Sequence, residues 1–451
     1  DAQYGILNLF MLYSGIIALI YHLGVTTAFG YIYWDVYKDK EKLKNLISST
    51  LGLIIIFQVI FISLGLVFGQ NIVDFIFKSE GKFTYNPIFI TTLFFSAFLV
   101  FYEMFINFFR NEHDLKKYAI INISTLVLLT IGTFAGVVFL DMKEVGAIYG
   151  RTFGYGFVII FFIFYFIKKY GIKLDWSISK MLLAFGIPLF FNALIGALSY
   201  GIDRIIIERF DTLQNLGIYG FTLVIISVVE ILFSSLNNAL SPTLFKFILE
   251  SPIEKRREIK GITHSIILII TAVITIIIAC LYPIFDIIIP ENFHRAALFV
   301  PILGFGFIWR VFTTISSYSL YIEKKTKYLI FNQSSNLVLT VGIGYVFYQI
   351  WDIMGIVITM YLARLIEYII MRTISYKVKK LSYELDRLIQ LTLILSASGF
   401  FIVFVGKDLD SNLKYILYCI PLVIYLISFP LFLRKEKKNL IYLFKHRKTL
   451  F

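Results

Sequence analysis

The sequence predicts an all-α polytopic membrane protein: two six-helix lobes related by pseudo-two-fold symmetry, plus a final helix pair, with thirteen helices visible and a first helix expected but absent. Three observations predict it. The 451-residue chain is 59% hydrophobic and 16% charged, with a mean hydropathy of +0.82, which excludes an ordinary soluble domain. Its apolar residues form continuous runs close to the ~20 residues a helix needs to cross a ~30 Å hydrocarbon core, without the period-two alternation of barrel strands. The loops between those runs alternate between basic and nearly uncharged.

In chain order the runs lie at 6–33, 46–68, 87–109, 118–140, 146–167, 180–206, 216–245, 262–285, 296–320, 328–350, 353–371, 388–405 and 415–433. One alternate set of loops, with the C-terminal tail, carries 31 Lys and Arg; the other set carries 7. Basic loops stay cytoplasmic, so Lys38–Lys44, Glu254–Arg257, Lys377–Lys380 and the tail from Arg434 are expected inside. The odd count then puts Asp1 outside and the C-terminus inside. The net charge of +13 is explained by these loops, so no nucleic-acid partner is expected. Cys280 and Cys419 lie in apolar runs and read as buried small hydrophobes, with no disulfide framework or metal spacing. His22 and His264 read as helix-packing groups.

The chain repeats itself. Tyr118–Gly132 and Tyr328–Gly342 share seven of fifteen residues at an offset of 210. Gln3–Ile6 aligns with Asn215–Ile218 at an offset of 212, and Gly146 pairs with Gly355. The segment Leu182–Ile207 has no counterpart in the first half, hence the expectation of a further helix before Asp1. The repeats divide the chain into 1–168, 169–375 and a final pair with basic tail at 376–451. An offset of an even number of helices makes the repeats parallel, as in secondary transporters with a binding site between halves near the midplane.

The order of these segments resembles the polysaccharide-unit (Wzx-type, O-antigen) flippases of the multidrug/oligosaccharidyl-lipid/polysaccharide exporter superfamily. The residues carrying the resemblance are Asp1–Gly5, Phe185-Gly-Ile-Pro188, Asp203-Arg204, Leu216-Gly-Ile-Tyr219 and the helix containing Asn332. The resemblance implies movement of undecaprenyl-pyrophosphate-linked sugar units from the inner to the outer leaflet of a bacterial cytoplasmic membrane by ion-coupled alternating access, with Arg lining the cavity. It also implies a proton or sodium ion and a polysaccharide polymerase as partners, alongside membrane lipid.

Four Arg fall outside the loops and inside the runs: Arg151, Arg204, Arg310 and Arg364. Ionisable groups at membrane depth are costly and mark functional sites. At 1.5 Å per residue, Arg310 lies roughly 20 Å deep and Arg364 near the midplane, while Arg151 and Arg204 lie about 8 and 5 Å inside the outer boundary. All four are candidate ligands of the pyrophosphate, because the planar guanidinium matches phosphate oxygens. Depth favours Arg310 and Arg364; Arg151 and Arg204 are shallow enough to snorkel. An Arg204–Glu208 pair at i+4 and an Arg364–Glu367 pair at i+3 are the alternatives to ligand binding. Glu230, Glu103, Asp203 and Glu367 are candidate ion-coupling residues. Of these, Glu103 and Glu230 have no opposite charge at i±3 or i±4.

An organic-cation antiporter of the same superfamily is the alternative, and midplane Arg argue against it. A polysaccharide polymerase or ligase would need a sizeable outer loop, whereas the longest, Gly69–Asn86, spans about 18 residues and has no acid/base pair with His. No GxxxxGK[ST] loop is present, and neither an enzymatic activity nor a cofactor is expected.

Overall fold

The apolar runs become helices in a computed structural model, which describes residues 2–76, 83–250, 256–323, 325, 327–378, 384–406 and 411–445. They are α1 (Ala2–His22), α2 (Val25–Val36), α3 (Lys40–Ile76), α4 (Ile90–Asn111), α5 (Leu115–Phe134), α6 (Lys143–Tyr170), α7 (Trp176–Phe210), α8 (Leu213–Glu250), α9 (Arg256–Ile288), α10 (Ala296–Ile322), α11 (Lys327–Val378), α12 (Asp386–Val405) and α13 (Ser411–Lys445). Single π-helical turns precede α4 and follow α5. Among the described residues, 12 helices are long and apolar enough to span a membrane, and the chain is a multi-pass membrane protein.

Two spans differ from the sequence reading. The run 6–33 is not one helix: the chain breaks between α1 and α2 at Leu23 (φ 43°) and Gly24 (φ 78°). The cause is close backbone packing, since a Cβ on Gly24 would sit 2.0 Å from the Gly186 carbonyl oxygen. Only glycine combines that backbone region with that approach. Conversely, the runs 328–350 and 353–371 are joined in α11, whose 52 residues would reach about 78 Å if straight. Non-helical Trp351 and Asp352 (φ 49°, ψ −141°) break it into the two expected spans. Within the 69–86 loop, α3 continues as helix to Ile76.

Capping follows ordinary rules. Asp114 accepts from the Lys117 amide to start α5, and Asp175 accepts from the Ser177 and Ile178 amides to start α7.

The chain packs as two compact units, Ala2–Gly217 and Ile218 onward. This division follows packing, whereas 1–168, 169–375 and 376–451 follow sequence similarity. Although α7 lies past the first repeat boundary, it packs on α1, α2 and α3.

In the first unit α5 and α6 meet through glycine. A Cβ on Gly132 would sit 2.4 Å from the Gly150 carbonyl oxygen, and one on Gly136 2.1 Å from that of Gly146. Small residues four apart let helix backbones touch where no hydrophobic force drives them together. Near the other end of α6 an aromatic cluster joins α4 to α6, with Phe105 stacked on Phe166 at 4.4 Å.

In the second unit α10 is almost wholly buried, packed by α9, α11 and α12. Trp309 stacks on Tyr368 of α11 at 5.6 Å. The hydroxyls of Tyr418 and Tyr425 on α13 donate to the carbonyls of Ala297 and Leu268. Cys280 and Cys419 are exposed free thiols, not the buried hydrophobes expected. Their helices turn one face outward, and lipid supplies the apolar surroundings there.

Candidate functional site

The second unit holds Arg310 and Arg364. Arg310 Nη1 lies 2.7 Å from Glu230 Oε1, joining α10 to α8, and its guanidinium sits 5.7 Å from the Phe307 ring centroid. The absence of an opposite charge near Glu230 in sequence is thus misleading: its partner comes from another helix. Arg364 Nη1 lies 2.9 Å from Glu367 Oε2, the i+3 alternative that the sequence offered. Glu367 also accepts from Asn332 Nδ2 at 3.2 Å and Asn336 Nδ2 at 3.0 Å. A carboxylate held by three donors is fixed in place. Asn332 and Asn336 come from the repeat segment, one helical turn apart, so α11 builds this cluster across its own break.

The first unit holds Arg151 and Arg204. Arg151 on α6 is half-buried, and its Nη1 donates to Met11 Sδ of α1 at 3.3 Å. Arg204 on α7 is half-buried and lies 5.6 Å from the Tyr200 ring centroid. The Arg204–Glu208 pair is not among the ion pairs of the described residues. Instead the carboxyl of Asp203 accepts from the Arg204 amide, and Asp203 and Glu208 are buried at 1% and 3% exposure. Among the described residues, the buried Nε atoms of both Arg have no hydrogen-bond partner. The Tyr4 hydroxyl on α1 lies within electrostatic reach of both guanidinium groups. Tyr4 of α1 thus interacts electrostatically with cations of two further helices, and among the described residues no carboxylate is in ion-pair contact with either cation. Tyr4 was not singled out in the sequence, although it belongs to the Asp1–Gly5 segment. That segment is placed by Gly5, where a Cβ would sit 2.3 Å from the Leu213 carbonyl oxygen and 3.3 Å from the Gly217 amide.

Helix α6 has two faces. Tyr149, Phe153, Phe157 and Ile160, with Phe94 and Phe98 of α4, line an apolar groove of about 570 Å³. Arg151 and Tyr155, four residues apart, lie on the opposite face. Tyr155 is within electrostatic reach of Glu103 on α4, and Glu103 Oε2 lies 3.8 Å from His22 Nε2. His22 and His264 are buried, at 2% and 6% exposure. Among the described residues no group of His, Cys, Asp and Glu could hold a metal ion.

This is the fold of the multidrug/oligosaccharidyl-lipid/polysaccharide transporters. The chain is similar to the lipid II flippase MurJ in an inward closed conformation (14% identity over 96% of this chain and 97% of that one, TM-score 0.67). It is also similar to a multidrug resistance MATE family transporter in an inward-facing conformation (17%, 84% and 90%, 0.69). A third likeness is to a superfamily transporter from Pyrococcus furiosus (18%, 83% and 87%, 0.52). No curated protein matches the chain. Residues 1–248 match the family model described as "Polysaccharide biosynthesis protein", and the chain belongs to that family.

Proposed function

We propose that the protein is a flippase that carries undecaprenyl-pyrophosphate-linked oligosaccharide units, such as O-antigen or another surface-polysaccharide repeat, from the cytoplasmic to the outer leaflet of a bacterial cytoplasmic membrane. The C-terminus lies inside, and no bond in the substrate is made or broken. The observation that carries this reading is the pair Arg151–Arg204 beside Tyr4. A diphosphate must leave water to cross, and two guanidinium groups that no described carboxylate holds in an ion pair offer it charge-assisted hydrogen bonds. Such a pair repels an organic cation, which disfavours the antiporter. The family and the lipid-linked substrate named for MurJ support the same reading. Arg310 and Arg364, each already held by a glutamate, serve the second unit as paired charges. Transport is coupled to a proton or sodium gradient, and a polymerase consumes the delivered units.

The test is a strain lacking the gene, complemented with wild-type or Arg151→Ala/Arg204→Ala protein. Lipid-linked single units trapped on the cytoplasmic leaflet, with surface polymer lost, are expected in the deletion and in the double variant. Normal polymer with altered sensitivity to cationic drugs in the deletion would replace the flippase by the antiporter.

A further inference from the structure

We propose that His22 and Glu103 form a proton-binding site whose protonation state is linked to the backbone break at Leu23–Gly24. The proposal rests on the transport reading for its use, because it names where a coupling proton is held; the site's existence is tested separately below.

His22 ends α1 and is 2% exposed. Its Nδ1 accepts from the Gly24 amide at 3.0 Å. That bond assigns the tautomer: the neutral ring keeps a lone pair on Nδ1 and carries its hydrogen on Nε2. Nε2 is buried with no hydrogen-bond partner among the described residues and lies 3.8 Å from Glu103 Oε2. A buried polar atom left without a partner is costly, and a shift of less than 1 Å would make the bond. The Glu103 side chain is 52% exposed against 2% for His22.

The neighbouring elements add few titratable groups. Helix α4 contributes Glu103 and Tyr102, whose hydroxyl donates to Asn122 at 2.6 Å. Helix α6 contributes Tyr155, one turn from Arg151. Between Lys44 and Asp74, α3 has no ionisable residue, and α7 has none between Lys180 and Tyr200. Helix α2 bears Tyr31, Tyr33 and Asp35 toward its far end. Among the described residues Glu103 is therefore the carboxyl that faces His22.

A proton entering this pair has two seats. On Glu103 it neutralises the carboxyl that faces Nε2–H. On Nδ1 it makes an imidazolium beside a carboxylate, and Nδ1–H then points at the Gly24 N–H, donor against donor. The hydrogen bond across the break is lost in that state. Only one N–H or O–H bond forms, and the proton leaves by the same exposed carboxyl. The break is also where Gly24 touches Gly186 of α7, so its geometry is passed to a second helix. Tyr155 of α6, one turn from Arg151, lies within electrostatic reach of Glu103, so α6 borders both the proton pair and the proposed anion site.

The experiment uses the full chain in liposomes with Cys280→Ser and Cys419→Ser and spin labels at Gly15→Cys and Tyr31→Cys, which are exposed positions on either side of the break. Pulsed EPR distances at acid and alkaline pH are compared. The distance distribution is expected to change with pH in this background and to lose that response with Glu103→Gln and with His22→Gln. A distribution that ignores pH before those changes are made overturns the proposal, as does a response that survives both variants. Translocation of a polyprenyl-diphosphate-linked sugar is followed in the same liposomes. A pH-dependent distance without translocation supports the site and counts against the transport reading. Translocation that keeps its response to a pH gradient in Glu103→Gln counts against the site and leaves the transport reading intact.

Discussion

In the first unit Arg151 and Arg204 meet a thioether and an aromatic ring, whereas in the second unit Arg310 and Arg364 meet glutamates at 2.7 and 2.9 Å. The repeat makes the contrast sharper. Asn122 accepts from Tyr102, while its counterpart Asn332 donates to Glu367. Arg364 aligns at an offset of 209 with Tyr155, one turn from Arg151. Similar helices have thus been given opposite electrostatic tasks. Removing one member of a buried pair strands the other, whatever the pair itself contributes. A half-buried cation that no described carboxylate holds in an ion pair keeps hydrogen-bonding capacity for a ligand. On the proposed function, the second unit's paired charges serve stability and the first unit's Arg serve binding.

The largest expected effect tests the stability half. Glu367→Ala leaves Arg364 buried without its acceptor and Asn332 and Asn336 without theirs, and is expected to cost about 3–5 kcal/mol. Thermal unfolding in detergent measures it. Unchanged stability would break the assignment, and Glu367→Leu combined with Arg364→Leu should recover part of the loss.

The binding half comes next. Arg151→Ala with Arg204→Ala removes at least two charge-assisted hydrogen bonds of about 1.5 kcal/mol each. Translocation should fall on the order of 100-fold with the melting temperature nearly unchanged. Lys at both positions should restore only part, since the bidentate fork is lost. Loss of stability instead of transport would erase the contrast between the units.

A smaller effect tests the scaffold that positions Arg151. Gly150→Leu drives a side chain into the Gly132 backbone, where even a Cβ would come within 2.0 Å. Overpacking of this kind costs about 1–3 kcal/mol, read as a lowered melting temperature with transport reduced in step.

The smallest concerns the exposed network of Glu384 with Arg256 and Lys260, at 2.7 and 2.8 Å. Lys260 first, and then Arg256, hold the Glu384 carboxyl below its ordinary range. The stability it contributes is therefore present above the carboxyl's unfolded value and is lost as pH falls through the lowered folded value. Glu384 is 43% exposed, so Glu384→Gln should cost less than about 1 kcal/mol. Melting curves across the acid range should show the small difference vanishing at low pH.

The sequence by itself determined the all-helical membrane fold, because span length and loop charge are local properties answering to bilayer thickness and to the positive-inside bias. It also determined which Arg lie at membrane depth and that Arg364 could meet Glu367, since one helical turn relates them. Only the tertiary structure decided that Glu230 belongs to Arg310, that Tyr4 joins Arg151 and Arg204, and that His22 faces Glu103. Each of those sets draws on two or three helices, and no spacing along the chain encodes which helix lies beside which. The break at Gly24 has the same origin. Leu23 and Gly24 read as one more pair in an apolar run until Gly186 of α7 comes close enough that only glycine can stand there.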